Sequence, residues 1–181
     1  MTNRTNAVTV MKSISIFAFV ALLISCKENQ KQSNSKVESN SVEQTLKKEG
    51  IGITFTESEK EAIFDQYLNI RDALFNSDTM AAKEAAQELA DEVSETKIKN
   101  AAEEIAFSDD IEMQRKAFQE LSTEIEPLLK GSLASGEIYK QYCPMAFEHK
   151  GAAWLSDSKK ILNPYFGEKM PRCGTVQETI Q

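Results

Sequence analysis

The chain has 181 residues, enough for one domain of ordinary size, and it carries a formal net charge of −7. The charge becomes −9 when residues 1–25 are left out, because that stretch holds two positive residues and no negative one (−7 − 2). An acidic chain with scattered lysines lacks the basic surface that nucleic acid requires. We therefore exclude nucleic-acid binding.

The start of the chain has the pattern of an export signal. Arg4 and Lys12 precede a nearly unbroken apolar run, Ile14 to Ile24. Such a run is too short for a permanent membrane helix and is typical of a signal that is cleaved after export. An uncleaved N-terminal anchor is the alternative, and either Met1 or Met11 would serve as the start.

A cysteine stands where the signal ends. Cys26 follows the small residue Ser25, an arrangement that resembles the bacterial lipobox, in which the cysteine is lipidated and becomes the new N-terminus. We predict a lipoprotein signal peptide over residues 1–25 and a lipid anchor on Cys26 that attaches the protein to a membrane. The expected location is the cell envelope, facing the periplasm rather than the cell surface.

Residues 27–50, the main part of the segment 26–54, are polar and contain almost no large apolar side chain. Such a segment cannot bury enough surface to offset the entropy of ordering it. We predict a flexible tether with an r.m.s. reach of roughly 25–30 Å.

Helical periodicity extends over residues 55–136, and no strand alternation is visible before residue 130. Four helix starts are predicted, at Thr56 with Glu59, at Ser77 or Asp78, at Thr96, and at Ser108 to Asp110. The strongest apolar pattern consists of Ile111, Phe118, Leu121, Ile125 and Leu128. These signals predict an all-α fold, an antiparallel up-down bundle of three to four helices joined by short turns.

Prolines and glycines interrupt the chain from Cys143 onward. We therefore expect residues 137–181 to form an irregular segment of the same domain, packed on the bundle through its aromatic residues. Within it, Ile138 to Tyr142 is expected to be extended. One helical turn is expected from a cap at Ser156–Ser158 through Ile161.

Sulfur occurs twice in this segment, as Cys143-Pro-Met145 and as Met170-Pro-Arg-Cys173. If Cys26 is lipidated, the other two cysteines form an even pair in a compartment where thiols oxidise. One interpretation is a Cys143–Cys173 disulfide that closes a thirty-residue loop and stabilises the fold by roughly 3–4 kcal/mol.

The same residues also suit a metal site, because thiolate and thioether ligands select Cu(I). Cys143, Met145, Met170 and Cys173 would then surround one copper ion, and His149 could add an imidazole. A single histidine is more often an ordinary surface residue, and the methionines could instead fill gaps in the core. A disulfide would remove both thiolates from the ligand set, so the two interpretations compete.

The C-terminal motifs resemble a known family. Tyr142-Cys-Pro-Met, Trp154-Leu-Ser, Asn163-Pro-Tyr-Phe-Gly and Met170-Pro-Arg-Cys-Gly occur in the order typical of the domain of unknown function 3347. The resemblance is dense over Tyr139 to Val176 and weaker over the helices. Relatives of this kind occur as small exported lipoproteins and as domains of heavy-metal efflux adaptors, which implies copper or a similar soft metal and an adaptor as partner.

Two of these fragments are also similar to the heavy-metal-binding motif Tyr-x-Cys-Pro-Met…Cys-Pro-x-Cys-Gly. The chain departs from that motif at Met170, which replaces a cysteine, and the gap between the two halves is longer.

Motifs for catalysis are not found: the chain has no Gly-rich phosphate loop, no Cys-x-x-Cys and no Gly-x-Ser-x-Gly. We do not expect an enzyme. The first hypothesis is a copper-binding lipoprotein that acts as a buffer or as an accessory to metal efflux. The second is a non-catalytic interaction module whose C-terminal segment is held by a disulfide and binds no metal.

Overall fold

Four helices form the first part of the computed structural model, which describes residues 52–181. They are α1 (Ser58–Phe75), α2 (Thr79–Glu92), α3 (Thr96–Phe107) and α4 (Ile111–Leu129). Each helix packs on the next, and α4 also packs on α1. The predicted signal peptide, the lipidation site Cys26 and all but the end of the predicted tether lie outside the described residues.

The helix starts follow the sequence signals only in part. Asp78 accepts a hydrogen bond from the Ala81 amide, and Asp110 accepts from two amides in the first turn of α4, as expected of N-caps. The predicted cap at Thr56 is wrong, because α1 starts at Ser58 after Glu57. Thr56 instead uses its backbone amide and its hydroxyl to donate to the Ser132 carbonyl, at 2.8 and 3.2 Å.

The predicted cap at Thr96 is also wrong. Thr96 is the first residue of α3, and the residue before it, Glu95, makes no capping hydrogen bond through its side chain.

The helices bury a continuous apolar core. Its largest fully buried members on the helices are Ile63, Tyr67, Ile70, Leu74, Leu89, Ile105, Phe118, Leu121, Ile125 and Leu129. Stacked aromatic rings continue this core, because Tyr67 lies 5.0 Å from Phe118 between ring centres. The helical core that the periodicity predicted is thus confirmed.

Two small antiparallel sheets accompany the predicted helices in the described residues, so the fold is not purely all-α. A small sheet pairs β1 (Thr54–Phe55) with β2 (Leu133–Ser135). A second sheet contains β3 (Ile138–Cys143), β4 (Ala152–Ser156) and β5 (Thr175–Ile180), in the order β4-β3-β5. The segment predicted to be irregular therefore has a three-stranded sheet, and β3 coincides with the expected extended segment.

The helical turn predicted from Ser156 to Ile161 is absent. Ser156 is the last residue of β4, and the residues after it form bends. The regular turns of this region are a four-residue turn, Ala146–His149, and a 3₁₀ turn, Gly167–Lys169.

Buried polar contacts attach β4 to the helices. The Tyr67 hydroxyl accepts from the Leu155 amide at 3.0 Å and is bonded to the Ser122 hydroxyl at 2.7 Å. Arg71, which is almost fully buried, donates to Ser156 Oγ at 3.1 Å and to Asp157 Oδ1 at 2.9 Å. These bonds fix the position of the Trp-Leu-Ser motif against α1.

A second buried arginine attaches the Asn-Pro-Tyr-Phe-Gly motif. Arg115 on α4 donates to the Pro164 carbonyl at 2.9 Å, to the Leu74 carbonyl at 3.1 Å and to Ser77 Oγ at 3.1 Å. Its guanidinium thereby joins the end of α1, the middle of the C-terminal segment and α4. Within residues 52–181, no helix combines the length and the apolar character that crossing a membrane would need.

Candidate functional site

The two C-terminal cysteines, Cys143 and Cys173, are in contact. Cys143 is the last residue of β3 and is fully buried, whereas Cys173 is partly exposed just before β5. Their Sγ atoms lie 2.6 Å apart, and both residues are free thiols in this structure. This separation is slightly longer than the covalent S–S length of about 2.05 Å, so the backbone already holds the two residues in a position where a bridge can form.

Strand pairing explains why the cysteines meet. β3 and β5 pair in antiparallel register, with Tyr142 opposite Thr175. Asn163 holds the preceding loop in place, since its side-chain amide donates to the Cys173 carbonyl at 2.9 Å. Gly174 has a φ of 148°, and a Cβ there would lie 2.9 Å from the Trp154 ring. Glycine thus lets Cys173 approach the sheet closely.

The surroundings of Cys173 raise the pKa of its thiol above the ordinary value. Desolvation raises this pKa most, and the hydrogen bond to Cys143 and the charge of the Cys143 thiolate raise it further. The Met145 backbone N–H donates to the Cys173 sulfur and lowers the pKa by less. A raised pKa lowers the thiolate fraction at neutral pH. The hydrogen bond also places the Met145 backbone in contact with the cysteine pair.

The other three predicted site residues share a cleft of about 490 Å³ beside the pair. Met145, Met170 and His149 all line it, although Met170 comes from a different segment of the chain. Met145 is 39% exposed and His149 is also exposed, so both are accessible from solvent. The cysteines do not line this cleft, and the structure therefore divides the five predicted residues into a thiol pair and a neighbouring thioether–imidazole group.

The turn that carries His149 has an unusual backbone. Phe147, Glu148 and His149 have positive φ values of 49°, 57° and 68°. For residues other than glycine, each such conformation costs about 1–2 kcal/mol. Consecutive strained residues persist only where the surroundings impose them, and such residues cluster at functional sites.

The surroundings of this turn are tightly fitted. Gly151, with a φ of 77°, ends the turn, and a Cβ at this position would overlap the Tyr142 hydroxyl. The Phe147 ring packs edge-on against Tyr165 at 5.2 Å. Tyr165 in turn donates from its hydroxyl to the Ala153 carbonyl at 2.5 Å. The turn is therefore held between β4 and the Asn-Pro-Tyr-Phe-Gly motif.

Aromatic and acidic side chains complete the cleft. Phe147, Tyr165 and Phe166 contribute apolar surface, and Glu112 and Glu148 contribute carboxylates. The Glu112 carboxylate is paired with Arg115 at 2.8 Å. Sequence patterns missed Glu112, because it lies on α4, far from the sulfur motifs, and reaches the cleft only through the packing of α4 against the C-terminal segment.

The donor set of the cleft limits which metals suit it. Among the described residues, no group of three or more His, Cys, Asp or Glu side chains is arranged to hold a metal ion. Zinc and calcium sites in proteins are built from such groups. Two thioethers and an imidazole fit a soft ion instead, with Cu(I) the common metal that favours sulfur ligands.

The comparisons with known proteins match the helical part of the chain. Residues 63–136 match the model of a family described as "Protein of unknown function (DUF3347)". The C-terminal motifs and every residue of the cleft except Glu112 lie beyond this match, so it does not support the expectation that the resemblance is densest over residues 139–176. Neither the curated proteins nor the solved structures gave a match. Over residues 63–136, the chain is therefore similar to the DUF3347 family.

Proposed function

We propose that this protein binds copper as Cu(I) in the cleft lined by Met145, Met170 and His149, and that it acts in the cell envelope as a metal buffer or as an accessory to metal efflux. One observation carries the proposal: two thioethers and an imidazole from separate segments line one solvent-accessible cleft. Thioether and imidazole groups suit soft, monovalent copper better than they suit hard cations.

The cysteine pair supports the site in either redox state. Cys173 contacts the Met145 backbone through the sulfur, and its amide donates to the Met170 carbonyl at 3.2 Å. Cys173 thus contacts the backbones of both methionines. The proposed ligands do not include a thiolate, so the disulfide and the metal site are compatible.

Anchoring and partnership rest on other grounds. The lipobox-like sequence at Cys26 supports attachment to a membrane through lipid. The association of similar proteins with heavy-metal efflux adaptors supports such an adaptor as the partner that receives the metal. The proposal is for metal binding without catalysis.

A second candidate is favoured by the 2.6 Å separation of the two Sγ atoms. In that case the protein is a non-catalytic interaction module, a Cys143–Cys173 disulfide holds its C-terminal segment, and no metal binds. The strained turn then serves only to connect β3 and β4.

Cu(I) affinity tests the proposal directly. The reduced full chain is titrated against a chromophoric Cu(I) chelator without oxygen, with Cys26→Ala as the background that removes the third thiol. Met145→Leu and Met170→Leu should each weaken binding about 10- to 100-fold, a loss that metal sites show even when an outer partner is removed. Met80→Leu and Met113→Leu are matched controls, because these methionines are 59% and 55% exposed away from the cleft.

Equal affinity in the cleft variants and in the two controls would exclude the assigned ligands. The second candidate predicts a different result: no free thiol at Cys143 or Cys173 in protein taken from the envelope, and a melting temperature that copper does not change.

A further inference from the structure

We propose that the Cys143–Cys173 dithiol reduces Cu(II) and that the adjacent cleft captures the Cu(I) that is formed. This inference deepens the proposed function and rests on it. It assigns a chemical role to the two thiols, which are not among the proposed Cu(I) ligands.

The geometry of the pair favours a two-electron donor. The Sγ atoms lie 2.6 Å apart, so a bridge forms without movement of the backbone. Strand pairing of β3 with β5 holds the two segments in place. Cys173 is the accessible member and Cys143 is fully buried, so copper from solvent meets the Cys173 sulfur first.

The reaction balances with Cu(II) as the oxidant. Each of two Cu(II) ions accepts one electron, the two S–H groups release two protons, and one S–S bond forms between Cys143 and Cys173. The products are one disulfide, two Cu(I) ions and two protons. One Cu(I) ion stays in the cleft, and the second leaves to an external ligand.

The position of the cleft favours capture of the product. Met145 lies two residues from Cys143 and donates its backbone N–H to the Cys173 sulfur. Met170 lies three residues from Cys173 and accepts from its amide. The backbones of both methionines are therefore in contact with Cys173, one of the two residues that supply the electrons.

Oxidation of the pair leaves the capturing ligands intact. A four-sulfur site would lose two of its ligands when the disulfide forms. Met145, Met170 and His149 carry no oxidisable thiol, so the cleft keeps its ligands for Cu(I) after the electrons have been delivered. Thioether ligands also favour the reduced ion, which helps the transfer.

The test adds a Cu(II) salt to the reduced full chain, in the Cys26→Ala background, without oxygen. We expect two thiols to disappear and two Cu(I) ions to appear per chain, with a monomer two mass units lighter. Cys173→Ser and Cys143→Ala each remove the internal bridge and should abolish this stoichiometry. Alkylation of Cys173 in the folded parent protein also prevents the bridge, so it should abolish the same stoichiometry without a substitution.

Persistence of the thiols in the parent protein, or an equal Cu(I) yield in the alkylated protein, would overturn the reduction step. The double substitution Met145→Leu with Met170→Leu separates the two proposals. It should reduce Cu(II) as the parent does but release both Cu(I) ions to the chelator. If the parent protein also releases both Cu(I) ions, the cleft does not bind copper and the proposed function fails. The number of thiols lost still tests the reduction step, because it does not depend on where the Cu(I) goes.

Discussion

The helical region and the C-terminal region are organised by different kinds of contact. In the helices, apolar side chains recur along the chain and each helix packs on its sequence neighbour. In the C-terminal region, β3 pairs with β5 more than thirty residues later, and single buried side chains such as Arg71 and Arg115 fix the loops. Local pattern defines the first region, and a small number of long-range polar contacts define the second.

This difference makes the C-terminal region dependent on individual residues. A helix that loses one apolar contact keeps its backbone hydrogen bonds, whereas a loop that loses its one donor leaves buried carbonyls unpaired. Trp154, the single tryptophan of the chain, is buried in β4. Its fluorescence therefore reports on the C-terminal region, and far-ultraviolet circular dichroism reports mainly on the helices.

Arg115→Met should have the largest effect on stability, a loss of about 4 kcal/mol, because two buried carbonyls lose their donor at about 1–3 kcal/mol each. The acceptors are those of Pro164 and Leu74. We expect the Trp154 fluorescence transition in urea to precede the loss of helical circular dichroism. Lys116→Met, on the exposed side of α4, is the control. Coincident transitions in Arg115→Met would show that the two regions unfold as one unit.

Loss of the cysteine bridge comes next. In oxidising buffer, Cys173→Ser should lower the free energy of unfolding by about 3 kcal/mol, the loop-closure value for a loop of this length. In a strong thiol reductant, the variant and the parent should differ little. Urea unfolding followed by Trp154 fluorescence measures both. A parent protein whose stability does not respond to the reductant would show that no bridge forms.

Tyr67 joins the two regions through the Leu155 amide and Ser122. Tyr67→Phe should cost about 1–3 kcal/mol, because a buried amide loses its acceptor. Leu155 and Ser122 belong to β4 and α4, so both probes should report the loss. Tyr142→Phe is a control with a partly exposed ring.

Alkaline pH tests the same residue. Burial raises the pKa of Tyr67 to about 12, against smaller lowering effects of its hydrogen bonds. The folded-state pKa is above the unfolded one, so this contribution to stability is complete below pH 10 and is lost as the pH rises towards 12. Stability measured between these values should fall less steeply in Tyr67→Phe. Identical slopes would contradict a buried, neutral phenol.

The sequence predicted the helical region well and the C-terminal region poorly, for physical reasons. The spacing of Phe118, Leu121 and Ile125 specifies a buried helix face locally, and all three are fully buried. β5 carries almost wholly exposed residues, so no burial pattern marks Thr175–Ile180 as a strand. Its strand conformation depends on pairing with β3, which a reading of local pattern does not detect.

The site was predictable to the same degree. The cysteine count and the export signal suggested that Cys143 and Cys173 form a pair, and their Sγ atoms lie 2.6 Å apart in the structure. The separation of Met145, Met170 and His149 into a cleft apart from the thiols was not predictable, since it depends on the left-handed turn at Phe147–His149. Phe147 and Glu148 are residue types that rarely adopt that conformation, so the sequence does not indicate the turn.

The smallest effect is expected at the helix starts. Asp78→Ala should cost about 1 kcal/mol, because the Ala81 amide loses its acceptor at the start of α2. Glu95→Ala, at the start of α3, should change stability much less, since the Glu95 side chain makes no capping bond. Both effects should appear equally by circular dichroism and by Trp154 fluorescence if the helices support the sheet. An effect of Asp78→Ala confined to circular dichroism would mean that the C-terminal region keeps its structure while α2 frays, because β4 packs on α4 and is bonded to α1 through Tyr67 and Arg71.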